Sequence, residues 1–148
     1  MNKFLLDTSF LLPTVGVDAK REVAKGLENL AQMGAQASYS RFSILELLYV
    51  ATKLKRSSEF DKARFDDGLR SVLDGTAYER SEEGSGAFSM ANELRDLGHR
   101  DMIDNILYAT SATNGLKFLT VDSELRSFIR GHKLHDTTVF PSEMGTPR

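Results

Sequence analysis

Four acidic residues at widely separated points, Asp7, Glu46, Asp104 and Asp122, stand where side-chain chemistry is most expected. Asp7 follows the apolar run Phe4-Leu5-Leu6, and Asp122 follows Lys117-Phe118-Leu119-Thr120 after one intervening valine. Ligands of open parallel sheets collect at the carboxyl ends of strands, so acids just beyond two such strands share one rim. Asp101 and Asp104 are spaced i and i+3 ahead of Ile106, Leu107 and Ala109, which places both on one side of a first helical turn. Acids there also have an ordinary use, worth about 0.3 to 1 kcal/mol each against the helix dipole. Glu46 lies among Leu45, Leu47 and Leu48, where a carboxylate is costly unless hydrogen-bonded, protonated or bound to metal. Pairing with Arg41 or Lys53 is the plainer alternative.

Gathered at one rim, the four acids would hold a hard cation, Mg²⁺ or Mn²⁺, through oxygen. Such a site can polarise a phosphodiester and activate water for hydrolysis without a histidine or cysteine nucleophile. The composition agrees: cysteine is absent, which excludes disulfides, thiol catalysis and thiolate zinc sites. His99, His132 and His135 have no metal-ligand spacing, although His99 is near enough to Asp101 to reach the rim. With 19 basic and 21 acidic residues the net charge is −2, so no bulk positive field advertises nucleic acid. Approach of a polyanion would depend on the metal and on local basic groups such as Arg41, Lys53, Lys55, Arg56 and Arg100, each more ordinarily a solvated surface charge. Tyr39, Phe42, Tyr49 and Phe60 could stack on bases, but core or a subunit interface is their commoner use.

The elements that must position these residues alternate along the chain. The sequence predicts strands at 2–6, 37–39, 76–78, 117–120 and 137–140. It predicts helices at about 18–33, 42–55, 60–74, 82–97, 102–114 and 123–129, several closed by glycine. Two apolar stripes, Leu45/Leu48/Ala51 and Ile44/Leu47/Leu54, lead us to expect the second helix to be well buried. Alternation of this kind favours a three-layer α/β/α sandwich around a central, mostly parallel five-stranded sheet. At 148 residues and 41% hydrophobic composition, one domain over 1–141 is expected, with a loose tail at 142–148. The longest apolar runs are far too short to span a bilayer and nothing looks like a signal peptide, so a cytoplasmic location is expected.

In order and spacing, these segments resemble the PIN-domain family, in particular its VapC-type toxin ribonucleases and their archaeal relatives. The likeness is carried by Phe4-Leu5-Leu6-Asp7-Thr8-Ser9, by Ser40-Arg41-Phe42-Ser43-Ile44-Leu45-Glu46-Leu47, and by Asp104-Asn105-Ile106-Leu107-Tyr108-Ala109-Thr110-Ser111-Ala112 followed by Thr120-Val121-Asp122. The resemblance implies that Asp7, Glu46, Asp104 and Asp122 are the catalytic acids around Mg²⁺ or Mn²⁺. Ser9 and Thr120 match hydroxyl positions that support those carboxylates or the scissile phosphate. Asp101 is a fifth acid, a supporting group or an ordinary helix-start residue, and Asn105 occupies a place where many relatives have a small side chain. Arg41 and Arg100 are the candidate RNA contacts.

The implied function is a metal-dependent endoribonuclease, the toxin of a type II pair, acting on RNA as a homodimer and inhibited by a small antitoxin. A second reading is a PIN-type nuclease in RNA processing or quality control with no antitoxin. From other classes come a Mg²⁺-binding phosphoacceptor receiver domain and a catalytically inactive binding domain. A receiver would carry paired acids after its first strand and a late lysine at a strand end, a pattern this chain lacks.

Overall fold

A computed structural model describes residues 2–145. Five strands form one sheet: β1 (Lys3–Leu6), β2 (Gln36–Tyr39), β3 (Glu79–Arg80), β4 (Lys117–Leu119) and β5 (Thr138–Val139). Their order is β3-β2-β1-β4-β5 and every pairing is parallel, with Phe4 opposite Ala37 and Leu5 opposite Phe118. This is not the 2-1-3-4-5 order of the receiver fold, so that alternative fails on topology. The connection reverses direction between β1 and β4, and the crevice at their carboxyl ends is where such sheets bind ligands.

Among the described residues six helices cover the sheet: α1 (Arg21–Met33), α2 (Arg41–Leu54), α3 (Lys62–Asp74), α4 (Ser85–Leu97), α5 (Met102–Asn114) and α6 (Ser123–Gly131). The central strands β1 and β4 are apolar on both faces because both faces are covered. Phe4, Leu6 and Leu119 pack with Phe10, Val23, Leu30, Leu47, Phe65 and Val72 in one layer. Leu5 and Phe118 pack with Leu94, Leu107, Tyr108, Leu125 and Ile129 in the other. Small residues Ala87, Ala91 and Ala109 let α4 and α5 approach closely. The three-layer, parallel five-stranded architecture expected from the sequence is what the chain adopts.

Three local expectations need correction. Residues 76–78 are not strand; β3 is Glu79–Arg80, because the chain first extends beside β2 where Ser38 meets Glu79. Beyond β1 the chain turns through two short 3-10 segments, Thr8–Leu11 and Pro13–Val15, before α1 begins at Arg21, three residues later than expected. Helix α2 is buried along Ser43, Leu47 and Ala51, but Leu48 is 46% and Tyr49 59% exposed, with Leu45 beside them. An apolar stripe in sequence says that a surface is to be covered, not that this chain covers it.

Past β5, Pro141–Glu143 makes a 3-10 turn against α1, where Asn29 Nδ2 donates to the Pro141 carbonyl at 3.2 Å. Arg126 bonds both Glu143 carboxylate oxygens, donates to Thr138, and stacks 3.6 Å from the Phe140 ring centroid. Of the tail expected at 142–148, residues 146–148 lie outside the described residues.

Gly68 on α3 is required by close approach. A Cβ there would strike the Thr14 carbonyl oxygen and lie 2.5 Å from Val15 Cα, both backbone. Alanine in an open helix gains about 1 kcal/mol over glycine, whereas forcing this contact apart costs about 1 to 3 kcal/mol. We expect Gly68→Ala to be net destabilising, by up to about 2 kcal/mol, in chemical denaturation; a variant more stable than the parent would refute the contact.

Candidate metal centre

The five acids meet because the end of β1, one face of α2 and the starts of α5 and α6 border one crevice. Asp7 is the first residue beyond β1; its backbone N–H donates to the Leu119 carbonyl at 2.9 Å, which ties it to the end of β4. One carboxylate oxygen, Oδ1, accepts from Thr8 N–H at 2.7 Å and the other, Oδ2, from the Thr120 hydroxyl at 2.6 Å. That same Thr120 oxygen accepts the Asp122 N–H at 3.0 Å, so one hydroxyl at the end of β4 orients two acids. Asp122 caps α6 by accepting from Leu125 N–H at 3.0 Å. Asp101 caps α5 by accepting from Asp104 N–H at 3.1 Å. Three of these carboxylates therefore sit at helix starts, where partial positive charge favours an anion.

Glu46 projects from α2 onto the same crevice and forms no ion pair with Arg41 or Lys53 among the described residues. Carboxylate oxygens of Glu46, Asp101 and Asp104 lie within 4.8 Å of one another. Asp7 and Asp122 line the same cleft, about 850 Å³ in volume, as do Thr8, Ser9 and Lys20. Asp101 is thus both a helix cap and a member of the cluster, which sequence spacing alone left undecided.

Crowding these acids carries an electrostatic cost. Burial raises Asp104 to about 8, helped by the charges of Asp7, Asp101, Glu46 and Asp122. Asp7 rises to about 6, chiefly through burial; bonds from Thr120 and Thr8 pull it down, while Glu46 and Asp122 push it up. Glu46 is also raised, by burial first, with the Thr8 hydroxyl opposing and Asp101 adding to the shift. Near neutral pH the bare cluster cannot hold all its charges, and a divalent cation would relieve the repulsion that protonation otherwise relieves.

The donor set fits such an ion. Every candidate ligand is a carboxylate oxygen, as hard cations prefer. Ser9 Oγ, on the same cleft, is buried without a hydrogen-bond partner among the described residues. A buried hydroxyl left unpaired costs about 1 to 3 kcal/mol, which suits a position that meets a ligand or its water.

The remaining sequence candidates lie elsewhere. Asn105 is fully buried and faces away from the acids: its Oδ1 meets His99 Nδ1 at 2.6 Å and its Nδ2 donates to the His99 carbonyl at 2.8 Å. His99 packs on Phe128, which stacks on His132, so neither ring lines the cleft. Arg41 and Arg100 are exposed outside the cleft lining. Tyr39 is core, Phe42 packs edge-on to Phe88 at 5.7 Å, and Phe60 meets Phe65 at 5.6 Å. Sequence reasoning missed Lys20 and Thr8, whose only signal was proximity to Asp7 and to the start of α1.

The fold is similar to that of chains in several solved structures. A toxin-antitoxin complex from Klebsiella pneumoniae matches at 18% identity over 93% of this chain and 96% of that one, TM-score 0.60. VapBC2 from Rickettsia felis, bound to a DNA fragment from their promoter, matches at 17% over 92% and 98%, TM-score 0.63. DNA-bound VapBC from Salmonella typhimurium matches at 18% over 93% and 98%, TM-score 0.55. At these identities the likeness is one of fold. No curated protein matches the sequence. A family model described as the PIN domain matches residues 4–130, from β1 through α6, and the chain therefore belongs to the PIN-domain family.

Proposed function

We propose that the protein is a divalent-cation-dependent endoribonuclease and the toxin of a type II toxin-antitoxin pair, acting in the cytoplasm. The observation that carries this reading is the convergence of five carboxylates from four segments of the chain on one cleft, where burial, helped by mutual repulsion, holds Asp104 protonated near neutral pH. Asp7, Glu46, Asp104 and Asp122 would hold Mg²⁺ or Mn²⁺, with Asp101 adjoining. When bound, the cation supplies Lewis-acid polarisation of a phosphodiester and the positive charge that in-line hydrolysis by water requires.

The chain's own groups then have separable tasks. Thr120 fixes the Asp7 carboxylate with its hydroxyl hydrogen and the Asp122 backbone with its oxygen. The α5 cap holds Asp101 beside Asp104. Ser9 offers an uncommitted hydroxyl on the cleft. The toxin assignment is supported by PIN-domain membership and by the toxin-antitoxin complexes that share the fold. It carries two partners, a second copy of the chain and a small antitoxin, for which exposed Leu45, Leu48 and Tyr49 on α2 and Phe88 and Leu97 on α4 offer apolar surface.

Incubation of a mixed RNA pool with Mg²⁺ or Mn²⁺ tests the proposal. The parent should cleave and chelation should stop it. Asp7→Asn and Asp122→Asn should each lose at least about 100-fold in rate, an amount ordinary for removal of a metal ligand or its support. Activity that persists in chelator, or that both variants retain, would sink the assignment. Growth arrest on expression, relieved by Asp7→Asn, is the corresponding expectation for a toxin.

A further inference from the structure

The cleft that gathers the acids also repels the substrate proposed for it. Its lining holds the five clustered carboxylates together with Asp18 and Glu124, against a single basic side chain among the described residues, Lys20. The basic residues that sequence suggested as RNA contacts, Arg41 and Arg100, do not line it. Lys20 stands immediately before α1, is exposed, and takes part in no ion pair among the described residues despite the acids around it. Nor does its side chain cap α1, whose first turn opens beside the cleft, since Asp18, Ala19, Lys20 and Val23 all line it.

We propose that Lys20 is the substrate-positioning cation of the cleft, its ammonium group binding a non-bridging phosphate oxygen of a single-stranded RNA at or beside the cleaved bond. This inference rests on the nuclease reading. An ammonium ion and a phosphate form a charge-assisted hydrogen bond, and the contact displaces a condensed counterion from the strand. Lys20 comes from the segment that precedes α1, whereas Asp101 and Asp104 come from the start of α5. Lys20 takes no part in the acid cluster, so it should govern substrate affinity and leave metal affinity alone.

The test compares the parent with Lys20→Ala and Lys20→Arg on a fluorescently labelled single-stranded RNA oligonucleotide. Cleavage is followed with Mn²⁺ over a range of KCl concentrations, RNA binding by anisotropy with Ca²⁺, and Mn²⁺ binding by calorimetry without RNA. Lys20→Ala should raise KM and the RNA Kd about ten-fold, as expected for one charge-assisted bond, with kcat within about three-fold. The slope of log affinity against log salt should fall by about 0.7, the value for one lost phosphate contact on a single strand. Lys20→Arg should restore most of both effects, and Mn²⁺ affinity should stay within about two-fold throughout. Unchanged KM, Kd and salt slope in Lys20→Ala overturn the inference, as does an arginine variant no better than alanine. If the parent binds RNA without cutting it, the nuclease reading falls and the salt slope still decides Lys20. If the parent cuts and Lys20→Ala matches it, this inference alone falls. If the parent neither binds nor cuts, both fall.

Discussion

Asp104→Asn should abolish RNA cleavage, by at least about 1000-fold, and at the same time make the metal-free protein more stable at pH 8. Loss of activity follows from removing a charge at the centre of the cluster, where stabilisation of developing phosphate charge is worth several kcal/mol. The gain in stability follows from linkage. Folding raises Asp104 from 3.8 to about 8, so between those values the folded protein binds a proton that the unfolded chain has released. Stability must then fall as pH rises through that window, and the loss is complete above about pH 8. Asp7, raised to about 6, adds a smaller loss between 3.8 and about 6. Asparagine at 104 cannot ionise and escapes its share. Because Asp104 is only partly enclosed, we discount the full shift and expect a gain of about 2 to 3 kcal/mol at pH 8, or roughly 5 to 10 °C in Tm. At pH 4 the two proteins should melt together. Asp101→Asn, at an exposed cap, should lose far less activity. Thermal melts in chelator at pH 4 and 8 decide the matter: a variant equal to or below the parent at pH 8 contradicts the electrostatic account.

That trade of stability for charge density explains which parts of the molecule were legible in sequence. Strands β1 and β4 announce themselves because Phe4-Leu5-Leu6 and Phe118-Leu119 are buried on both faces, and the acids just beyond them inherit a place on the rim. Helix α5 was bounded correctly at both ends, by the capping Asp101 and by Gly115 at φ 65°. Strand β3 was misplaced because Glu79 and Arg80 carry no apolar signal; only pairing with β2 makes them strand. The exposure of Leu45, Leu48 and Tyr49 could not be read either, since local pattern does not distinguish a core from an interface.

Within the site the same division holds. Carboxylates at strand ends and helix starts follow from local pattern plus topology. What one sequence does not reveal is which polar side chains serve them and which serve the scaffold. Thr120 orients Asp7 and Asp122, whereas Asn105, adjacent to Asp104, spends both amide atoms on His99. A buried asparagine must satisfy every donor and acceptor, and the loop after Gly98 supplies the partners. Likewise Lys20 is brought to the acids by the turns at Thr8–Leu11 and Pro13–Val15, which no periodicity announces.

Divalent-ion affinity should climb steeply with pH, about 100-fold between pH 6 and pH 8. A carboxylate that binds a cation must first give up its proton, so the ion competes with whatever protons the bare cluster retains. Over this interval Asp104 is the principal carrier, with its pKa at about 8, and Asp7 contributes toward the lower end, at about 6. The logarithm of affinity should rise with a slope near one and flatten once pH exceeds about 8, where no proton remains to be displaced. Calorimetric titration with Mn²⁺ in buffers of different ionisation enthalpy measures both quantities: about one proton should leave per ion bound at pH 7, and almost none at pH 9. In Asp104→Asn the slope should largely vanish along with most of the affinity. A pH-independent affinity, or binding without proton release at pH 7, would mean that the ion sits away from Asp104. An acidic cleft of this kind is thus poised so that cation, proton and mutual repulsion compete for one set of oxygens, and the fold tolerates the repulsion because β1, β4 and α5 are anchored in the core layers on the two faces of the sheet.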